Sequence, residues 1–364
     1  MTAAGRDQRG GLPAAAPVIT AWEVYSPLGH GARSHLAGLR AVGSVRPGPS
    51  VPDFDVREIL GRSGTRAMDR AAGLAVATTR RLLDRVGTAE APLGGYASED
   101  VGVVLGASDG IKSVMDFLRD TWTRDKPYDV DPSHVPRTLM NFAAGQCAIW
   151  HGVRGPNATI CGSHATALLT LNYARRLQRN GHAKAAIWGA VEELSADRTA
   201  VESARLDGRG GRPPAEGCVM FLLEAASTVA GGRPVAAGGR PAVAQVLAVE
   251  FGVWSGPDQI RDALVGCLRR ALMRAAVRRE EVLAIAPLSW PGWPGSAERA
   301  GIADVVGDAP LLTKTADAIG DTGAGSAAFQ IVELLAEGAG LGRVGVVTTV
   351  DGEGRVGCAL LRIY

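Results

Sequence analysis

At 364 residues the chain is too long for one simple domain and fits about two. Hydrophobic residues make up 46% and charged residues 21%, which excludes disorder over most of the chain. Lys+Arg 39 against Asp+Glu 37 leaves a net charge of +2, without the basic excess of a dedicated nucleic-acid binder. No apolar run reaches the roughly 18 residues of a membrane span. The opening MTAAGRDQRGGLPAAAP has no continuous apolar stretch of the kind a secretory signal needs. Residues 1–16 are expected to be a disordered tail, and the protein to be cytoplasmic. The five cysteines, Cys147, Cys161, Cys218, Cys267 and Cys358, stand in apolar surroundings with no CxxC pair, so buried reduced thiols are expected rather than disulfides or a zinc site.

In chain order, residues 17–229 alternate short β-branched runs with longer Ala/Leu/Arg segments. PVITAWEV reads as a strand, REILGRSGTRAMDRAAGLAVATTRRLLDRVG as a helix, VGVVLGAS as a strand and GIKSVMDFLRDTW as a helix. NATICGS is a strand, HATALLTLNYARRLQRNG a helix, and AAIWGAVEE and GCVMFLLEA are strands. AGGRPVAAGGRPA, residues 230–242, is punctuated like a linker. The pattern then restarts over residues 243–364: strand VAQVLAVEFGVW, helix DQIRDALVGCLRRALMRAAV, strand VLAIAPLSW, helix GSAAFQIVELLAEG, and strands RVGVVTTV and VGCALLRIY. Strand–helix alternation of this kind predicts a layered α/β fold, and the two runs read as a diverged duplication. The second-half helix has a basic face with Arg269, Arg270, Arg274, Arg278 and Arg279. That face is either solvated or a dock for an acidic carrier protein.

The most informative stretch is GPNATICGSHATALLTLNYARRLQRNGHAKAAIWGAVEEL. A Gly-Pro turn leads into a strand, a sharp Gly-Ser turn and an amphipathic helix, which places residue 164 at a helix N-terminus, where developing negative charge is favoured. The stretch resembles the nucleophile elbow of the β-ketoacyl synthases, of the thiolase-like superfamily, without a gap from Gly155 to Ala174. VITAWEVYSPLGHGARSHLAGLRA, VGVVLGASDG, MNFAAGQCAIWHGVRGPN, AEGCVMFLLE, AERAGIADVVGD and TKTADAIGDTGAGSAAFQIV resemble further family segments, so the likeness covers nearly all of residues 17–364. It implies a five-layer αβαβα fold from two duplicated halves, 17–229 and 243–364.

The resemblance also implies a catalytic set: a Cys to carry the acyl chain, two His and a Lys. At these positions the chain has His164, Pro287 for the first histidine, Asp321 for the second and Ala316 for the lysine, with Lys314 near but out of register. The glycine-rich loop reads DGEGRVG, placing Asp351 and Glu353 where an oxyanion would bind, which carboxylates oppose. Since elbow and second-histidine positions face each other in this fold, His164 and Asp321 are expected to be neighbours. They would either plug a disused pocket or work as an acid/base dyad. Trp290 and Trp293 are expected to fill or line that pocket, with Glu353 beside them.

These features are similar to chain-length-factor-type subunits, which lack the Cys and pair with an active ketosynthase in type II polyketide or polyene synthesis. That likeness implies a ketosynthase partner and an acyl carrier protein, with the carrier docking on Arg269, Arg270 and Arg274. Leu139, Met140, Phe142 and Cys161 are then expected at the subunit contact and along the chain tunnel. No cofactor, metal or nucleotide is expected, and the glycine runs lack phosphate-binding spacing. The alternatives are an enzyme that uses the His164/Asp321 dyad for dehydration, isomerisation or cyclisation of a carrier-bound polyketide, and a homodimeric scaffold.

Overall fold

The computed structural model describes residues 17–41, 48–108, 111–206, 211–230, 232–338, 340 and 342–364; the tail expected at 1–16 lies outside the described residues. The strands are β1 (Pro17–Ser26), β2 (Gly29–His30), β3 (Val101–Ala107), β4 (Asn157–Cys161), β5 (Ala185–Glu192), β6 (Gly217–Ala230), β7 (Arg233–Ala236), β8 (Ala244–Val253), β9 (Val282–Pro287), β10 (Arg343–Val350) and β11 (Arg355–Ile363). Their main path runs β4-β3-β5-β6-β1-β8-β11-β10-β9, with β2 on β1 and β7 on β6.

The path contains one plan twice. In the first half β3 is parallel to β5, β5 antiparallel to β6, and β6 antiparallel to β1. In the second half β9 is parallel to β10, β10 antiparallel to β11, and β11 antiparallel to β8. The two runs, β3-β5-β6-β1 and β9-β10-β11-β8, meet where β1 touches β8 at Val18/Gln245 and Ile19/Ala244. β4 extends the first half at its outer edge.

Helices complete five layers. Arg70–Val86 covers β1 and β6 from outside, and Ile260–Ala275 covers β8 and β11. Thr166–Arg179 and Ser326–Glu337 lie between the halves and touch each other. Sequence explains that central placement. SAAFQIVELLAE is buried on every face from Ser326 to Leu335, as a helix packed between the two halves must be. Two of its buried polar side chains bond to backbone: Gln330 Nε2 donates to Ala286 O and Thr348 O at 2.7 and 2.9 Å, and Glu333 accepts from Lys314 N and Thr315 N at 2.9 and 3.0 Å. Leu168, Leu171, Trp188 and Phe221 from the first half share one buried cluster with Phe329, Ile331 and Val332 from the second. Trp188 stacks on Phe221 with ring centroids 4.4 Å apart. Each fully buried side chain of this size contributes about 1.5–3 kcal/mol over exposure, so the halves cannot separate without large loss.

Two expectations are corrected. The helix read over 57–87 breaks into Val56–Leu60, a short turn, and Arg70–Val86. Gly61 and Gly64 take φ of +90° and +79°, which ends the first piece, and the Asp69 carboxylate caps the second by accepting Ala72 N at 2.8 Å. The 230–242 segment is not a loose linker. β7 folds back on β6, and Arg240 grips the buried Glu224 and donates to Gly94 O at 2.8 Å.

Candidate functional site

β4 ends at Cys161, the chain turns through Gly162 and Ser163, and the helix Thr166–Arg179 begins. Thr166 N donates to Ser163 O at 3.0 Å and closes the turn. His164 is therefore carried at the start of the central helix, pointing across to the second half. There its Nε2 meets Asp321 Oδ1 at 2.9 Å, and its Nδ1 meets Ser163 Oγ at 2.9 Å. The expected His164/Asp321 contact is present and buried.

Asp321 is held from several directions. Its Oδ1 also accepts Gly323 N at 2.8 Å, its backbone N donates to Pro213 O at 2.9 Å, and its carbonyl accepts Ala215 N at 2.7 Å. Arg198 adds a donation to Asp321 O at 3.1 Å while binding Glu193 O and Ala215 O at 2.9 and 2.8 Å. The Arg198 guanidinium lies 3.6 Å from the buried Glu192 carboxylate, whose other oxygen accepts Ala324 N at 3.1 Å. Gly323 is required here: its φ is +47°, and a Cβ would lie 2.4 Å from Glu192 Oε2.

Electrostatics follow from this packing. Burial pulls His164 down, but the charge and hydrogen bond of Asp321, with Asp351 and Glu202 farther off, leave it above the usual imidazole range. Burial pushes Asp321 up, yet His164, Arg198 and the Gly323 N–H bring it down to about 2. Both shifts favour the charged form of each partner.

His164 and Ser163 line a cavity of about 510 Å³ with Trp254, Trp290, Trp293 and Glu353. Trp290 and Trp293 therefore line space rather than fill it. Trp290 stands edge-on to the His164 ring at 4.6 Å and 65°, and Trp293 is edge-on to Trp254 at 6.2 Å. The helix 196–206 adds Glu202 and Arg205 to the wall. Asp351 is turned inward: its Oδ1 accepts Glu353 N and Arg355 N at 3.0 and 2.9 Å. Two N–H groups of this loop, those of Glu353 and Arg355, are thus taken by the chain's own carboxylate. Glu353 pairs with Arg355 at 3.0 Å.

Other expected residues lie elsewhere. Pro287 ends β9, in register with Thr348, and does not line the cavity. Ala316 borders a separate space of about 20 Å³ beside Asp321 and Trp290, room for about one water. The Lys314 amine points away to Glu337 at 2.8 Å. Leu139 and Met140 are exposed, 56% and 61%, on the stretch leading to helix Phe142–His151, whereas Phe142 packs partly against its own half's outer core. Cys161 is half-buried at the end of the edge strand β4. Cys147 and Cys267 are pushed up by burial to about 12 and about 11, which makes them poor nucleophiles. The basic face is largely neutralised: Arg270 and Arg274 both bind Glu250, and Arg278 and Arg279 bind Glu281 and Glu280 at 3.1 and 2.8 Å. Ser163, Arg198, Glu202, Arg205 and Trp254 were not singled out from the sequence. Only Trp254, an aromatic ending a strand, carried a local signal. Among the described residues no cluster of His, Cys, Asp and Glu is placed to hold a metal ion, and no helix is long and apolar enough to cross a membrane.

The model of the β-ketoacyl synthase N-terminal domain matches residues 52–228. A solved structure described as the ishigamide ketosynthase/chain length factor is 37% identical, with a TM-score of 0.82 over 96% of this chain and 99% of that one. The chain belongs to the β-ketoacyl synthase family. A type II PKS acyl-carrier protein in complex with its ketosynthase bound to the hexaketide shares the fold at 12% identity, TM-score 0.77, over 96% of this chain and 100% of that one. The 3-oxoacyl-[acyl-carrier-protein] synthase 2 of Vibrio harveyi is 30% identical over 152 residues, 42% of this chain and 36% of that protein. For that of Vibrio cholerae the figures are 26% over 192 residues, 49% and 46%, so this ketosynthase-family chain spans less than half the length of these relatives. The five-layer fold expected from the sequence is the family's.

Proposed function

We propose that this chain is a ketosynthase-like partner subunit of chain-length-factor type. It pairs with an active ketosynthase in type II polyketide or polyene synthesis, shapes the tunnel for the growing chain, and does not itself catalyse condensation. The observation that carries this reading is the elbow. An imidazole locked on Asp321 stands where the family places its acyl-carrying thiol, and in the glycine-rich loop the Glu353 and Arg355 N–H groups bond to Asp351 instead of facing an oxyanion. The surface supports a partner as well. β4 is an edge strand, the helix Phe142–His151 that packs on it presents the 76%-exposed Ile149, and Leu139 and Met140 are exposed just ahead of that helix. An acyl carrier protein is the second partner. Arg270 and Arg274 already bind Glu250, so Arg269 is the cation on that face best suited to meet it.

A second reading, a repurposed enzyme using the His164/Asp321 dyad on a carrier-bound chain, is favoured by the cavity that still opens onto His164. Co-expression with an intact ketosynthase decides between them. A partner subunit co-elutes with it on size-exclusion chromatography, shows no condensation alone, and carries no acyl adduct on His164 by fragmentation of the peptide that contains it. Condensation by the chain alone overturns the first reading. Product formation abolished by a folded, partner-bound His164→Gln variant favours the second.

A further inference from the structure

Ser163 has no part in the subunit role, yet it is the side chain best placed for covalent chemistry. Its Oγ lies 2.9 Å from His164 Nδ1, and the opposite ring nitrogen lies 2.9 Å from Asp321 Oδ1. A hydroxyl, an imidazole and a carboxylate in one hydrogen-bonded line are the nucleophile, base and orienting group of acyl transfer. Asp321 cannot drift, because Gly323 N and Arg198 fix its turn. The serine is also accessible: Ser163 and His164 share the wall of the 510 Å³ cavity with Trp254, Trp290 and Trp293, whose rings suit an apolar or unsaturated acyl chain, and with Glu202, Arg205 and Glu353, which suit its polar end.

We infer that Ser163, His164 and Asp321 form an acyl-accepting relay, and that the chain is a slow thioesterase toward apolar acyl thioesters. In the neutral ring, with Nε2–H donated to Asp321, His164 Nδ1 takes the hydroxyl proton while Ser163 Oγ attacks the thioester carbonyl. The C–S bond breaks, and His164 returns the proton to the departing sulfur, leaving a free thiol and an acyl-serine. Water then attacks the ester, with His164 taking its proton and handing it to Ser163 Oγ, which releases the carboxylic acid. The reaction is slow for a structural reason. Asp351 occupies the N–H groups of Glu353 and Arg355, and loss of one oxyanion donor typically costs about 10²–10³ in rate. The start of helix Thr166–Arg179 is left as the electrostatic aid beside Ser163. Hydrolysis of this kind releases chains and is separable from the pairing role.

The test uses the full chain, alone and with its ketosynthase, incubated with an alkyl fluorophosphonate and, separately, with octanoyl-N-acetylcysteamine. The expected result is an adduct on the peptide containing Ser163 and slow release of octanoic acid. Both are absent in Ser163→Ala, and labelling slows about 10²–10⁴-fold in His164→Gln. Circular dichroism confirms folding, and if His164→Gln unfolds, Ser163→Ala alone decides. An unlabelled wild type, an adduct that persists in Ser163→Ala, or equal labelling of folded His164→Gln and wild type overturns the relay. Co-elution with the ketosynthase is read separately, so failure of the relay and failure of the subunit role are distinguishable.

Discussion

Helix Thr166–Arg179 in the first half and helix Ser326–Glu337 in the second start from opposite sides of one interface, and their leading turns are built differently. Ahead of Ser326, the Asp321 carboxylate accepts Gly323 N and lies in the field of the Arg198 guanidinium, so an anion there is well supported. Ahead of Thr166, His164 places an imidazole where a helix end disfavours positive charge, and it is held by Asp321 and Ser163. The duplicated plan thus brings two equivalent helix ends together, and sequence divergence makes one an anchor and the other its dependent. The outer edges differ too: the first half carries the additional strand β4, whereas the second ends at β9.

The largest effect that can break this comparison comes from removing the anchor. Asp321→Ala strips the charge partner from a buried imidazole and the acceptor from Gly323 N, and is expected to cost about 3–5 kcal/mol in urea unfolding. His164→Gln keeps a hydrogen-bonding side chain and should cost clearly less; an equal or larger loss would show that the two ends are not anchor and dependent. Next in size is the outer edge. Ile149→Asp on its exposed site should leave the isolated chain's stability within about 0.5 kcal/mol but weaken ketosynthase binding at least about tenfold, read by titration calorimetry. Unchanged affinity would place the partner elsewhere.

The smallest effect sharpens the comparison through pH. His164 is raised in the folded state, so its contribution is full below its unfolded value of about 6.5 and is lost as pH rises through the folded value. Asp321 is lowered to about 2, so its contribution is full above about 3.9 and is lost as pH falls toward 2. The stability gap between wild type and His164→Gln should therefore be widest between about pH 4 and 6.5 and narrow on both sides. A gap that does not change with pH would mean that the pair is not ionised.

From the sequence alone, the alternation of strands and helices fixed the layered class, and the Gly155–Ala174 elbow placed His164 at a helix start, because periodicity and turn residues act locally. The approach of His164 to Asp321 was legible through the resemblance, which carries long-range geometry that spacing cannot. Tertiary structure alone decided the rest. Arg198 reaches Asp321 across 123 positions, Asp351 turns inward to take its own loop's N–H groups, and Glu250 captures two arginines that read as a free basic face. Ser163 became a candidate nucleophile only when the turn fixed its hydroxyl beside Nδ1. Such features depend on side-chain direction and burial, and these are set by the packing of the two halves about a shared helix pair rather than by neighbours in the chain.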